Sequence, residues 1–254
     1  MRIAVCVKRV PITGGRIVLA EDARSINTQH LGFTISPHEE CGVEEAVRLI
    51  EANKGDSVVL TLGPPEAVEQ LRDAMALGID RAIHLQTDGS EWDGEATAGA
   101  LLDAIRADEA AHGPFDIVFS GNESADSAGF QVGIRIAYAL GRPCVTGLKK
   151  VTIDGTSVRC EQEVEGGRDV YVVPLPAVLT VKEGLNLPRY PSVPGKMRAR
   201  TKPVAVSAPA RPEPRLELVK LAVPAGQGRR AESLGSGAAA APAVVVMLQK
   251  AGVI

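Results

Sequence analysis

The chain predicts an α/β fold built on a doubly wound, mostly parallel sheet, with an antiparallel second half and an extended C-terminal arm. Three observations carry this. Short apolar runs alternate with amphipathic helical stretches through the first 145 residues, the signature of a sheet covered on both faces. The composition is 45% hydrophobic but only 3% aromatic, leaving Val, Ala, Leu and Ile to pack, which suits parallel strands between helices. Asp154-Gly155, set between two strand-like runs, is a hairpin signal. At 254 residues one domain with appendages is the expectation.

The elements follow in order. Ile3 to Val7 is a buried strand, too short for a signal-peptide core and followed at once by Lys8 and Arg9. A loop rich in Gly and polar residues runs from Gly14 to Pro37. A helix over Gly42 to Asn53 places Val43, Ala46, Val47 and Ile50 on one face, with Gly55 at its end. Ser57 to Leu62 is a second buried strand. Pro64-Pro65 opens a helix with Val68, Leu71 and Met75 inward, closed by Gly78. Arg81 to Leu85 is a third strand, and Asp93 caps a long Ala-rich helix ending near Gly113. Asp116 to Ser120 is the fourth strand, before a helix from Gly129 to Leu140.

The pattern then changes. Leu148 to Ile153 and Ser157 to Val164 form a hairpin, Gly166-Gly167 turns into Asp169 to Val173, and Pro176 to Val181 returns as a buried strand. From Lys182 the chain reads as peripheral. Lys182, Arg189, Lys196, Arg198, Arg200 and Lys202 face Glu183 alone as far as Lys202, and Pro188, Pro191 and Pro194 argue against a helix there. Ala225 to Pro242 is low in complexity, and Ala243 to Ile254 predicts a short docked helix.

Several function classes drop out. A net charge of −3 implies neither nucleic acid nor an anionic membrane as partner, and no stretch approaches the ~20 apolar residues of a membrane span. Cys6, Cys41, Cys144 and Cys160 lie far apart with no Cys-x-x-Cys pair, which points away from disulfides and zinc and toward a reducing, cytoplasmic setting. Cys6 and Cys41 read as small packing residues. No Ser-His-Asp, Cys-His or His-Glu-x-x-His set can be assembled, and His30, His38, His84 and His112 are scattered. No catalytic residue and no metal site is assigned.

Ligands of an open α/β sheet bind outside the carboxyl ends of the strands. Lys8 to Pro11, Leu62 to Pro65 and Ser120 to Gly133 occupy such positions. The last reads Ser-Gly-Asn-Glu-Ser-Ala-Asp-Ser-Ala-Gly-Phe-Gln-Val-Gly, where small residues before a helix let backbone amides approach a phosphate. Asn122, Ser124 and Ser127 add donors; an ordinary strand-to-helix turn is the alternative. Asp126 either caps the helix or contacts a ribose or flavin ring. Glu39, Glu40, Glu44 and Glu45 read as a solvated first-turn face. Leu187, Tyr190 and Val193 sit on a proline-stiffened stretch bordered by Arg189, Lys196, Arg198 and Arg200. It reads as a wrapping arm or as a docking surface for an acidic protein.

With Val5-Cys-Val-Lys-Arg-Val10, Gly42-Val-Glu-Glu-Ala-Val-Arg-Leu49, Ala74-Met-Ala-Leu-Gly-Ile-Asp-Arg-Ala-Ile-His84, Glu163-Val-Glu-Gly-Gly167, Leu175-Pro-Ala-Val-Leu-Thr180 and Leu185-Asn-Leu-Pro-Arg-Tyr190, the sequence resembles the β subunits of electron transfer flavoproteins over nearly its whole length. The resemblance implies a Rossmann-like domain paired in a heterodimer with a larger α subunit that holds the redox-active FAD. The β chain would itself enclose an adenine nucleotide, AMP in simpler members or a second FAD in electron-bifurcating ones. Carried over by position, its contacts are Cys6, Ser36, Pro37, His38, Glu39, Leu62, Gly121, Asn122, Glu123, Ser124, Ala125, Asp126, Ser127, Ala128, Gly129, Phe130, Gln131 and Val132. The family's recognition loop for acyl-CoA-dehydrogenase-like partners falls on Pro188 to Arg200, with Val193 at the anchoring position and Leu187 and Tyr190 beside it. Thr13 and His38 match places where simpler members set aromatic residues beside the flavin. The expected division is an α/β nucleotide-binding domain over residues 1–182, then a recognition loop and partner-wrapping arm over residues 183–254.

Departures qualify the resemblance. Gln162 stands where a basic residue is usual, Asp169 where Glu or Gln is, and Asp126 to Gly133 follows neither the AMP-type nor the FAD-type loop fully. The choice of nucleotide stays open. Two other readings remain: an ATP-pyrophosphatase enzyme, since Ser120 to Ser127 resembles the Ser-Gly-Gly-x-Asp-Ser loop of that class, and a stress-type ATP-binding module.

Overall fold

A computed structural model describes residues 1–12, 14, 17–224 and 232–254. Chain order gives β1 (Arg2–Cys6), the two-residue pair β2 (Val10–Pro11) and β3 (Phe33–Thr34), α1 (Pro37–Asn53), β4 (Asp56–Gly63), α2 (Val68–Leu77), β5 (Arg81–Gln86), α3 (Gly94–His112), β6 (Ile117–Gly121) and α4 (Val132–Leu140). Then come β7 (Cys144–Asp154), β8 (Ser157–Val164), β9 (Gly167–Pro174), β10 (Ala177–Val181), α5 (Val193–Ala199), β11 (Val204–Ser207) and α6 (Ala241–Lys250).

A nine-stranded sheet in the order β11-β5-β4-β1-β6-β10-β7-β8-β9 forms the centre. It is parallel from β11 to β7 and antiparallel through β8 and β9. Successive side chains of a strand face opposite sides, and β1 shows the consequence. Ile3 and Val5 join Val43, Val47, Leu71, Met75 and Phe119 in one core, beneath α1 and α2. Ala4 and Cys6 join Leu60, Leu101, Ile105, Phe115 and Ile136 in the other, beneath α3 and α4. Each large apolar side chain buried this way contributes roughly 1.5–3 kcal/mol. The doubly wound expectation and the Asp154-Gly155 hairpin hold.

Several elements differ from the sequence reading. α1 starts at Pro37, five residues before Gly42, because Pro37 suits a first helical turn. α4 starts at Val132 rather than Gly129, leaving a longer loop after β6. A helix does form between Lys182 and Lys202: Pro194 lies in the first turn of α5, where no N–H is needed, and Ser192 Oγ accepts the Gly195 amide. β11 was not anticipated; Val204-Ala-Val-Ser207 adds to the free edge of β5. Within residues 14–37, Leu19 and Ile26 make an isolated bridge.

At the C-terminus the expected helix forms as α6, yet none of its residues is buried, and Val244, Val245, Val246 and Met247 are exposed. Docking on this chain is the part of that expectation that fails. The α6 apolar side chains meet no counter-surface among the described residues.

The amino ends of the strands carry an ion network. Asp108 on α3, with a side chain 4% exposed, receives Arg2 of β1 at 2.8 Å and Arg81 of β5 at 2.5 Å. Arg2 also reaches Asp56 at 2.9 Å and the Gly113 carbonyl.

Candidate functional site

At the opposite edge, the carboxyl ends of β1, β4, β6 and β10 bring together residues far apart in sequence. Cys6 closes β1 and is buried, Leu62 lies near the end of β4, and Gly121 ends β6. Ser36, fully buried, precedes α1, and Pro37, His38 and Glu39 form its first turn. Ser36 Oγ accepts the Ala125 amide at 2.9 Å, tying α1 to the loop after β6. The Glu39 carboxylate accepts the amides of Ser36 at 3.3 Å and Lys8 at 2.9 Å, tying α1 to the exit of β1.

The loop from Asn122 to Gln131 is held at its base and open above. Asn122 Oδ1 accepts the Thr180 hydroxyl at 2.9 Å, and the Asn122 amide donates to the Val181 carbonyl. Ser124 and Ser127 hydroxyls meet at 2.8 Å. Ala125 through Gln131 are exposed, with Ala128 and Phe130 at φ of 46° and 55°. L-residues seldom adopt that left-handed region, and such backbone gathers at functional loops.

Gln131 precedes α4 without capping it, its side chain engaging Arg135 at 3.1 Å instead. Among the described residues the amides of Gly129, Phe130 and Gln131 have no protein acceptor. Helix N-termini with free amides attract anions. Gly133 lets this turn sit against the sheet, since a Cβ there would lie 2.5 Å from Ser120 Oγ, itself buried without a partner.

Asp126 does not cap α4. It lies six residues before α4, too early to cap it, and its carboxylate pairs with the Lys8 ammonium at 2.7 Å. Lys8 also reaches Glu91 at 2.9 Å. Burial raises the Asp126 carboxyl, but the Lys8 charge outweighs it and holds the group below the ordinary range. The pair neutralises a carboxylate that would repel a phosphate.

The acids of α1 are not a solvated face. Glu39, Glu44 and Glu45 are buried, because the helix starts early and the chain beyond β10 crosses it. Glu44 is held below the ordinary carboxylate range: burial raises it, and hydrogen bonds from Arg189 and Arg48 more than offset that. For Glu39, burial dominates and pushes the carboxyl up to about 8, against the pull of the Lys8 and Ser36 amides. It is therefore largely neutral at pH 7, which suits an anion nearby.

A folded pKa above the unfolded value of 4.5 means that Glu39 favours folding fully below that pH. The contribution is lost as pH rises toward 8. Glu39→Gln keeps an acceptor without the charge. It is expected to flatten the fall of stability across this window and to melt above the parent protein at alkaline pH, as read by thermal unfolding at stepped pH.

Beside the site a depression of about 410 Å³ is lined by His38, Glu123, Lys149, Lys182, Glu183 and Gly184. His38 Nε2 lies 3.8 Å from Glu123, and its Nδ1 is buried without a partner. Lys149 and Lys182 carry no site signal in the sequence, since only the parallel pairing of β7 with β10 sets Lys149 beside the end of β10. Thr13 lies outside the described residues. Leu187, Tyr190 and Val193 are exposed on the segment that crosses α1. Among the described residues no cluster of His, Cys, Asp or Glu could hold a metal, and no helix is long and apolar enough to cross a membrane.

Comparison with known families matches residues 24–212, well over half the chain, to the electron transfer flavoprotein domain. The chain is 35% identical over 206 residues to an electron transfer flavoprotein subunit beta of Bacillus subtilis, covering 80% of this chain and 77% of that one. A subunit beta of Syntrophomonas wolfei is 35% identical over 225 residues, covering 88% and 86%. A mitochondrial subunit beta of Arabidopsis thaliana is 34% identical over 207 residues, covering 80% of each. A parallel sheet with an open, amide-rich loop at its carboxyl edge and relatives of this kind lead to one conclusion: the chain belongs to the electron transfer flavoprotein family, as a β subunit.

Proposed function

We propose that this β subunit binds an adenine nucleotide at the carboxyl edge of its sheet and, paired with an α subunit, serves a flavin that carries electrons from a dehydrogenase to an acceptor. The observation that carries the reading is the uncapped N-terminus of α4 beneath an exposed loop with free amides. The donor set fits a phosphate: backbone amides from Gly129 to Gln131, hydroxyls at Ser124 and Ser127, and two nearby acids neutralised, Asp126 by Lys8 and Glu39 by protonation.

In this reading the chain makes and breaks no bonds. The flavin, when bound, supplies the redox chemistry. Ser36 and Asn122 fix the loop, Lys8 holds it through Asp126, and the amides orient the phosphate. Cys6, Pro37, His38 and Leu62 would line the remaining wall with Glu123, Ala125 and Ala128. The nucleotide is AMP or a second FAD. Leu187, Tyr190 and Val193 would dock an acyl-CoA-dehydrogenase-like flavoprotein, in a cytoplasmic setting.

Denaturing the purified α–β heterodimer and counting adenine nucleotides tests the first claim. One FAD plus one AMP, or two FAD, is expected; a single FAD and no other adenine nucleotide per heterodimer removes it. For docking, Val193→Ala trims two exposed methyl groups. With ~0.8 kcal/mol per buried methylene, electron uptake from an acyl-CoA dehydrogenase is expected to slow about tenfold at unchanged flavin content. Unchanged uptake would count against the docking surface.

A further inference from the structure

The chain between β10 and β11 is fastened at two places, and the fastenings use some of its basic residues but not others. At the first, Arg189 inserts against α1. Its Nε and Nη2 reach Glu44 at 3.0 and 3.1 Å, and its Nη1 and Nη2 reach Glu51 at 2.7 and 3.0 Å. The Arg189 amide donates to Glu44 as well, at 3.1 Å. Glu44 is 1% exposed and also takes Arg48 at 2.6 Å. Asn186 adds bonds to the Cys41 carbonyl and to Glu45, and Arg48 reaches the Leu187 carbonyl.

At the second fastening, Lys202 donates to the carbonyls of Met75 and Ile79 at the end of α2, at 3.0 and 2.6 Å. Arg72 of α2 returns the contact to the carbonyls of Ala199 and Lys202.

Along this stretch the segment turns apolar side chains outward: Leu187 is 84% exposed, Tyr190 96%, Val193 76% and Met197 58%. Lys196, Arg198 and Arg200 are exposed beside them. Among the described residues none of the three pairs with a carboxylate; Asp73 feels Lys196 but forms no ion pair with it. The cations thus fall into two sets, one consumed internally and one open to solvent.

We infer that Arg189 is a positioning residue, neutralised by Glu44 and Glu51, that holds a preformed apolar ridge, while Lys196, Arg198 and Arg200 alone supply the charge that meets a partner. The surface fits an apolar pocket rimmed with carboxylates on a folded protein. This rests on the docking reading above and deepens it. A ridge fixed at both ends loses little conformational freedom on binding, and three open cations steer association with an acidic surface. Recruitment to anionic lipid commonly takes clusters of four to eight, and the chain as a whole is net negative, so a protein partner is favoured over a membrane.

The test measures reduction of the α–β heterodimer by an acyl-CoA dehydrogenase, itself reduced by its acyl-CoA, across a range of ionic strength. For Lys196→Gln, Arg198→Gln and Arg200→Gln combined, the second-order rate is expected to fall about tenfold at low salt and to converge with the parent at high salt. Arg189→Gln should lower the rate while keeping the parental salt slope. In the free heterodimer it should speed amide exchange over residues 185–192 about tenfold, a readout that needs no partner. If Arg189→Gln folds poorly, Glu51→Gln removes one of its two carboxylates from the exposed side, and the same exchange and slope are expected in milder form.

An Arg189→Gln slope as flat as that of the triple variant, or unchanged exchange in both clamp variants, overturns the division. So does sedimentation with phosphatidylserine vesicles that depends on the same three cations. If Leu187, Tyr190 and Val193 changed together to Ala leave the rate intact at every ionic strength, the docking reading itself falls.

Discussion

Replacing Gly133 with Val is expected to empty the proposed nucleotide site while leaving the sheet folded. A Cβ at this position would lie 2.5 Å from Ser120 Oγ and 2.6 Å from Thr180 Cγ2. Neither neighbour can withdraw, for both are buried on strands of the parallel sheet, and Thr180 holds Asn122 at the base of the loop. The added side chain must push the first turn of α4 outward, carrying the free amides with it. Overpacking of this kind costs about 1–3 kcal/mol, which lowers the melting temperature by several degrees in a protein of this size. The larger effect is on the ligand. Adenine nucleotide beyond the flavin of the α subunit should fall from one per heterodimer to below about a tenth, since phosphate held by amides depends on their placement within about 0.5 Å. Full occupancy in the variant, with an unchanged melting temperature, would show that α4 does not hold the phosphate. Gly133→Ala should give the same direction with a smaller loss.

The second large effect is on stability alone. Asp108→Ala removes the buried carboxylate shared by Arg2 and Arg81 and releases the amino ends of β1 and β5 from α3. Breaking a buried pair costs roughly 3–5 kcal/mol. Arg2 and Arg81 are 15% and 23% exposed, so their charges stay partly hydrated and both still face Asp56, and about 2–3 kcal/mol is the expected loss. Urea unfolding should show the midpoint shift with no change in nucleotide or flavin content, because the network lies at the edge away from the loop. The acid limb gives a second readout. Burial raises Asp108, and the guanidiniums of Arg81 and Arg2 more than reverse it, so its folded pKa is below the unfolded value of 3.8. The stability it lends is present above pH 3.8 and is lost as pH falls through the folded value. The difference between parent and variant should therefore shrink in acid. A constant difference down to pH 2 would argue that packing, not charge, is what Asp108 supplies.

Much of the fold was legible because the local signals agree with the tertiary outcome. β1, β4 and β6 announce themselves as short apolar runs, and Asp93 caps α3 as its position predicts, accepting the Ala96 amide at 2.8 Å. The failures share a cause. Glu44 and Glu45 read as solvated because four acids at a helix start ordinarily face water; only the crossing of residues 186–189, some 140 positions later, covers them. Asp126 could not be assigned because its partner, Lys8, lies just beyond β1, remote in sequence. α5 was hidden by prolines that do no harm: Pro194 sits in its first turn, and Pro188 and Pro191 precede it. The residues placed at the sheet edge came from family positions, but the loop from Ser120 to Gly133 could be found from small residues between a strand and a helix. What could not be found was its electrostatic balance, which depends on contacts between segments remote in sequence.

α6 bears on how the subunit fares before it is assembled. A newly made copy carries a helix with Val244, Val245, Val246 and Met247 open to water, tethered to the body through residues rich in Ala, Gly and Ser. Such a tail is the kind of handle that quality-control proteases and chaperones recognise. Until that face is covered, it is a liability for self-association in water.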